Sequence, residues 1–409
     1  QIGYYDFIQT ITTKGSMSDY SFDGTVLGQH ATVSDPVSGD QTWEKVVSKN
    51  LGLDLNMFNN RLSLTTDFYI RDTKGILGKG KSLPSIYGAS EPQMNANNLR
   101  TKGYELVLGW RDSFKLAGST FSYGITGTFS DYTAEYTKCD NPTGLIGDPY
   151  VGKKYGEIWG YKVDGLFRND KEAAEYASRI DLSTVASGYY TATGAYGKGV
   201  RGGDIKYLDL NGDNIVNGGK GTLDDPGDRR VIGNSSPRYQ YGASLNFSWY
   251  GFDVSVFMQG IGRLDWYPGA DNLRFWGPYC RPYATFVPKN FMSQVWSEEN
   301  PDAYFPRARA YTSLNSNSGT AYYTNDRYLQ NLAYCRLKNL TIGYTIPRRL
   351  TSKVGIKECR IYFSGENLAT WSALKSDFLD PEQAAADSDK KANVYPWCKT
   401  YSIGLNLTF

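Results

Sequence analysis

From Tyr239 onward the chain alternates. Tyr239, Tyr241, Ala243, Leu245, Phe247 and Trp249 fall on one side, and Gln240, Gly242, Ser244, Asn246 and Ser248 on the other. Successive side chains of an extended backbone point to opposite faces, so this stretch predicts a strand with one apolar and one polar side. Past Tyr250 and Gly251 the pattern resumes, with Phe252, Val254, Val256 and Met258 set against Asp253, Ser255 and Gln259, which predicts a tight hairpin. The same device recurs in residues 51–70 around Asn59 and Asn60, and in residues 104–129 around a turn between Arg111 and Gly118. A last hairpin joins Leu340, Ile342, Tyr344 and Ile346 through residues 347–355 to Ile361 and Phe363.

Strands with one greasy face suit a soluble sandwich and a membrane barrel alike. Connection lengths separate the two. Turns inside the hairpins are short, whereas the connections between them, residues 72–101, 131–237, 262–327 and 367–396, are long. Strict alternation of short and long connections builds outer-membrane barrels, with turns on the periplasmic side and loops outside, and loops of this size are uncommon in a compact soluble domain. Phe58, Trp110, Phe121, Trp249, Tyr250, Phe252 and Tyr344 gather beside the short turns, as an interfacial girdle would, although strands favour aromatic residues anywhere. The chain closes on Tyr401, Ile403, Leu405, Leu407 and Phe409, alternating with Ser402, Gly404, Asn406 and Thr408. A terminal Phe409 on such a strand resembles the signal by which barrel-assembly machinery recognises outer-membrane proteins. The expected total is about ten strands, among them one near residues 2–11 and a long one over 43–57.

Composition narrows the class. The 409 residues include 33 Tyr and 44 Gly, with 15% aromatic and 21% charged residues, and the mean hydropathy of -0.48 goes with the lack of any apolar run long enough for a membrane-spanning helix. One histidine, His30, and no Cys-x-x-Cys pair argue against a His/Cys zinc site and histidine-based catalysis. Lys and Arg number 44 against 42 acids, so the basic excess of a nucleic-acid binder is missing. Cys139, Cys280, Cys335, Cys359 and Cys398 are scattered and give no disulfide framework; a Cys139–Cys280 pairing is left open. The sequence opens at Gln1 without methionine, charged n-region or apolar h-region, so a signal peptide and more are expected upstream.

Six stretches, "NANNLRTKGYELVLGW", "YGEIWGYKVDGLF", "GDIKYLDLNGDNIVN", "DRRVIGNSSPRYQYGASLNFSWYGFDVSVFMQG", "RLKNLTIGYTIPRRL" and "IYFSGENLATW", occur in this order. Together they resemble the SusC-like branch of the TonB-dependent outer-membrane transporters, from about residue 42 to Phe409. The resemblance implies an all-β, transmembrane antiparallel β-barrel of about 22 strands with long extracellular loops. Residues 1–409 would form its C-terminal portion, with the signal peptide, small β-domain, TonB-contacting segment and plug lying upstream. It further implies location in the bacterial outer membrane, contact with lipid, and TonB-dependent import of oligosaccharides beneath a SusD-like surface lipoprotein. Peptide cargo is the alternative, and a passive porin or surface adhesin would share the barrel. A glycan hydrolase is set aside, since no two carboxylates fall in a cleft-like setting. Nucleic acid is not an expected partner.

Within the connection 131–237, Asp209, Asn211, Asp213 and Asn217 place side-chain oxygens at the first, third, fifth and ninth positions of a short loop, with the Ile215 carbonyl at the seventh. Oxygens on alternate residues converge as a hard cation requires, so one structural Ca2+ is expected, completed by Asp224, Asp225 or Asp228. The resemblance points to Asp228, which precedes Arg229. The twelfth position, Lys220, departs from the EF-hand pattern, and an Asx-rich turn needing no metal is the alternative. Residues 263–306 carry eleven aromatic rings amid prolines and charges. Such rings suit sugar faces, a protein partner or the loop's own core, with self-packing favoured for any single one. An extracellular position, implied by the resemblance, would bring Trp266, Tyr267, Trp276, Tyr279 and Tyr283 against lid or cargo. Strand parity turns Asp54, Asp67, Glu105, Asp253, Arg360 and Glu366 toward the lumen.

Overall fold

The computed structural model describes residues 9–14, 30–34, 36–38, 41–79, 86, 88, 91–191, 199–280, 287, 289–309, 314, 319–376, 378–386 and 395–409. Nine strands form one antiparallel sheet. They are β1 (Lys45–Met57), β2 (Leu62–Lys79), β3 (Gln93–Leu116), β4 (Ser119–Lys138), β5 (Arg238–Trp249), β6 (Phe252–Arg263), β7 (Tyr334–Thr345), β8 (Glu358–Ser372) and β9 (Thr400–Thr408). Each is hydrogen-bonded to its predecessor, so sheet order is sequence order. The shortest, β9, has 9 residues, enough for a tilted strand to cross a bilayer.

By contact the chain divides into two units. The first comprises Gln1–Asn50, Tyr69–Lys102 and Thr133–Lys154. Here Asn95 fastens three backbone segments: its carboxamide oxygen accepts from Thr42 N at 2.8 Å, and its nitrogen donates to the carbonyls of Thr42 and Gly75. Arg100 pairs with Asp72 at 2.7 Å. Residues Ile11–Lys14 pair antiparallel with His30–Val33 in a separate ribbon.

The second unit comprises Leu51–Phe68, Gly103–Tyr132 and Tyr155–Phe409. Its register follows the sequence pattern: Leu245 faces Val256, Phe247 faces Val254, and Val254 faces Ile342. Tyr250 and Gly251, at φ 48° and 83°, form the expected two-residue turn, and Ala117 and Gly118 form another at 48° and 84°. Left-handed backbone at both central positions matches the twist of the flanking strands, which is why Asn or Gly recurs at such corners. Asn59 and Asn60 turn the β1–β2 hairpin in the same way.

Among the described residues nothing covers the apolar faces of these strands fully. Leu51 is 73% and Ile403 83% exposed, while Leu245, Phe247 and Val254 are only partly covered. The buried core of the second unit lies instead in the long connections, where Phe167, Tyr207, Phe275, Trp276, Tyr328 and Leu332 pack together. A soluble sandwich would show the reverse. The sheet is that of an outer-membrane barrel, whose outward band is solvated by lipid.

Two expectations change. The long connections are shorter than alternation suggests, because β2, β3, β4 and β8 run on to Lys79, back to Gln93, on to Lys138 and on to Ser372. Apolar alternation stops where lipid stops, but backbone pairing continues. The large sheet holds nine described strands; of the stretch expected near residues 2–11, residues 2–8 lie outside those described, and Ile11 opens the separate ribbon. The five cysteines form no disulfide.

Candidate functional site

The expected ring platform is a buried core. Trp266, Tyr267, Trp276 and Tyr279 are each covered almost completely. Phe275 meets Trp276 edge-on at 4.8 Å, and Tyr279 stacks on Phe305 at 5.9 Å. Their polar handles are used internally: Trp276 Nε1 donates to Gly269 O at 3.0 Å, Tyr279 Oη to Pro306 O, and Tyr267 Oη to Tyr323 O at 3.0 Å. Burial pushes the Tyr267 and Tyr279 phenols far above their ordinary range, so they stay neutral. The four rings pack into the loops' own core, because aromatic area beside so many other rings is buried first by its neighbours. Tyr283, the fifth expected ring, lies outside the described residues.

Ion pairs missed by the sequence pattern fix the loops. Arg309, wholly buried, forks onto Asp204 at 3.0 and 2.7 Å and lies 4.2 Å over the Tyr189 ring. Burial lifts the Asp204 carboxyl to about 6, with Arg309 opposing the rise. Arg336 on β7 reaches Asp380 and Glu382 at 2.7 Å each, and Lys338 joins Glu382 at 2.6 Å. Asp380 and Glu382 lie in the connection after β8, more than forty residues along the chain, which alternation alone does not link.

On the polar face of the sheet, Arg360 on β8 donates to Asp253 on β6, its Nε at 2.9 Å from Oδ1. The pair crosses β7 over Gly343, where an added Cβ would lie 2.5 Å from both side chains. Asp54 accepts from Thr65 Oγ1 at 2.7 Å. A cleft of about 780 Å3 beside the short turns is lined in part by Arg61, Arg111, Asp112, Tyr123, Asn246 and Asp253. Phe247 and Val254 line it beside these charged groups, so its wall is of mixed polarity.

The 209–217 loop folds as a knot of carboxylate-to-amide hydrogen bonds. Asp209 accepts from Gly212 N at 2.7 Å and Asn214 N at 2.9 Å, and Asp213 from Ile215 N at 2.8 Å and Asn211 Nδ2 at 2.9 Å. Asn214 takes φ 66°, the left-handed turn expected of its position. Asp228 is fully buried beneath, its Oδ1 accepting from Leu210 and Asn211 N at 2.7 and 3.3 Å and its Oδ2 from Asn217 N at 2.9 Å. The loop therefore closes through its own amides. Among the described residues no group of three or more His, Cys, Asp or Glu is placed to hold a metal ion. Asp209 and Asp213 make no ion pair among the described residues, leaving two carboxylates on one turn without a cationic partner. Phe409 is exposed at the end of β9, its carbonyl accepting from Lys357 Nζ at 2.8 Å.

No protein-family model matches the chain. TonB-dependent receptor P3 of Formosa agariphila is 25% identical over 96% of this chain and 36% of its own length. TonB-dependent receptor SusC of Bacteroides thetaiotaomicron is 22% identical over 90% of this chain and 32% of its own. Among solved structures, the RagAB peptide transporter superposes over the whole chain and 39% of its own, with a TM-score of 0.66 and 21% identity. These relatives are receptors and transporters, not enzymes, and the chain spans about a third of the length of the curated ones. With strands in meander order whose apolar faces suit lipid, the chain is similar along nearly its whole length to TonB-dependent receptors of the outer membrane, SusC among them.

Proposed function

We propose that the protein containing this chain imports oligosaccharides across the bacterial outer membrane by TonB-dependent transport, with a SusD-like lipoprotein as lid over its long loops. The observation that carries this reading is the division of labour in the chain. Strands with bare apolar faces provide the membrane wall, and connections with a core of their own provide a stiff surface at the loop end. A stiff surface suits a lid, because little ordering entropy is lost on docking. The TonB complex would be reached through segments outside this chain. Peptide cargo is the second reading, favoured by likeness to a structure described as a peptide transporter. The test is uptake of defined oligosaccharides and peptides by cells with and without the receptor. Loss of oligosaccharide uptake that needs the TonB complex is the expected result. Loss of peptide uptake instead selects the second reading, and uptake independent of TonB points to a passive porin. Purification from outer membranes without a SusD-like lipoprotein would remove the lid.

We also propose that the 209–217 loop takes one structural Ca2+ through Asp209, Asn211, Asp213 and the Ile215 carbonyl. The unpaired charges of Asp209 and Asp213 support this, since a cation would relieve their repulsion. Asp228, engaged by three amides, would position the loop from beneath. Calorimetric titration of the complete receptor with calcium tests the idea: heat that disappears in Asp209→Ala/Asp213→Ala supports it, and equal heats in both proteins would end it.

A further inference from the structure

At the short-turn end of the sheet, β1–β2, β3–β4 and β5–β6 close in tight corners. The β7–β8 connection does not. Between Thr345 and Glu358 it builds a helical turn, α1 (Arg348–Thr351), followed by a 3-10 turn, Ser352–Val354, that ends on Gly355 at φ 75°. The segment is fastened to the strands at both ends, Ile346 N donating to Cys359 O at 2.9 Å and Lys357 N to Thr408 O at 2.8 Å, and it closes on itself through Ile356 N to Thr351 O at 3.2 Å. Its exposed side chains therefore have fixed directions.

Those side chains are of two kinds. Leu350 is 59% and Val354 70% exposed, four residues apart, while Thr351 beside them is buried, so both apolar groups turn away from the protein. Arg348, Arg349 and Lys353 are exposed, make no ion pair among the described residues, and have no acid between them, the nearest in sequence being Glu358. One exposed Leu would need no explanation. An apolar pair beside three unpartnered cations on a fastened turn is the composition of a segment lying in a membrane interface. The turn also continues the lipid-facing side of β7, where Tyr344 meets Phe252 at 4.6 Å between ring centres.

We propose that this turn is an interfacial anchor: Leu350 and Val354 enter the acyl boundary of the leaflet next to the short turns, and Arg348, Arg349 and Lys353 bind the headgroups of anionic phospholipid there. The stems of the basic side chains lie along the interface while their charges reach the phosphates. Short turns lie on the periplasmic side of such barrels, which places the anchor in the inner leaflet. The occupant is an anionic lipid and not a protein, because three cations without an intervening acid match a negative surface, and the turn directly follows the Tyr344–Phe252 aromatic pair at the end of the apolar strand face.

The complete receptor is placed in nanodiscs of phosphatidylglycerol or of phosphatidylcholine, and amide exchange is followed over residues 346–357. Exchange should be at least about tenfold slower in phosphatidylglycerol, since each basic residue near an anionic surface contributes about fivefold in affinity. The variant Arg348→Gln/Arg349→Gln/Lys353→Gln should abolish that difference, and native mass spectrometry should show fewer retained phosphatidylglycerol molecules. Leu350→Ser/Val354→Ser should speed exchange in both lipids. Equal exchange of the parent in the two lipids, or a difference that survives in the triple-Gln variant, would overturn the proposal.

Discussion

Asp228→Ala tests whether the 209–217 loop is held by the acid beneath it. In the parent, one fully buried carboxylate satisfies the amides of Leu210, Asn211 and Asn217 at 2.7, 3.3 and 2.9 Å. Hydrogen bonds to a charged acceptor contribute about 1.5–3 kcal/mol each, and a stranded buried amide costs about 1–3 kcal/mol. The three are not additive: the 3.3 Å bond is weak, and water can reach the exposed Asn211. A local loss of about 3 kcal/mol is the reasoned figure, equivalent to roughly a hundredfold more frequent opening. Amide exchange of the complete receptor in chelator, with peptides covering residues 205–231, reads this without interference from calcium. Residues 209–217 should exchange about a hundredfold faster, while peptides from β6 stay unchanged. Asp228→Asn, which keeps one acceptor oxygen, should fall between. Exchange in Asp228→Ala within about twofold of the parent would refute the claim that this acid organises the loop.

Three further outcomes follow from the site. Asp204 is raised to about 6 by burial against an ordinary 3.8, so the folded protein holds its proton more tightly than the unfolded chain. Protection of residues 199–204 should be greatest below about pH 4 and decline up to about pH 6; an Asp204→Asn variant with the same slope would contradict this. Arg336→Met strands Asp380 in a largely buried site and leaves Glu382 to Lys338 alone, which should free residues 378–386 to proteolysis by about 3 kcal/mol of lost local stability, with β7 and β8 still paired; a cleavage rate equal to that of the parent would count against the latch. Gly343→Leu should separate Arg360 from Asp253, lowering the thermal midpoint, whereas Gly343→Leu combined with Asp253→Ser and Arg360→Ser should recover part of the loss, and no recovery would show that the glycine serves something else.

What the sequence made legible was whatever lipid and turn geometry impose locally. Leu245, Phe247 and Val254 alternate because each must face one medium or the other, and Tyr250-Gly251 turns because two left-handed residues are needed there. The strand ends at Lys79 and Gln93 were hidden, since pairing beyond the membrane needs no alternation. Trp266, Tyr267, Trp276 and Tyr279 were visible as aromatic residues, but whether a ring packs inward or faces a partner depends on residues as distant as Tyr328. The Arg336 cluster was equally silent, because its acids come from another connection. The loop acids stood out by spacing, yet spacing does not say that backbone amides engage them.

The chain keeps its two apolar populations in two different solvents. Side chains on the strands are stabilised by hydrocarbon, and those of the loop core by exclusion of water. Urea, which acts through surface newly wetted on unfolding, should melt the loop core with a steep denaturant dependence and a large heat-capacity change, and barely touch the strands. Acyl-chain length, conversely, should tune the strands and leave the loop transition where it is. A single melting temperature for such a protein would average two processes that answer to different variables.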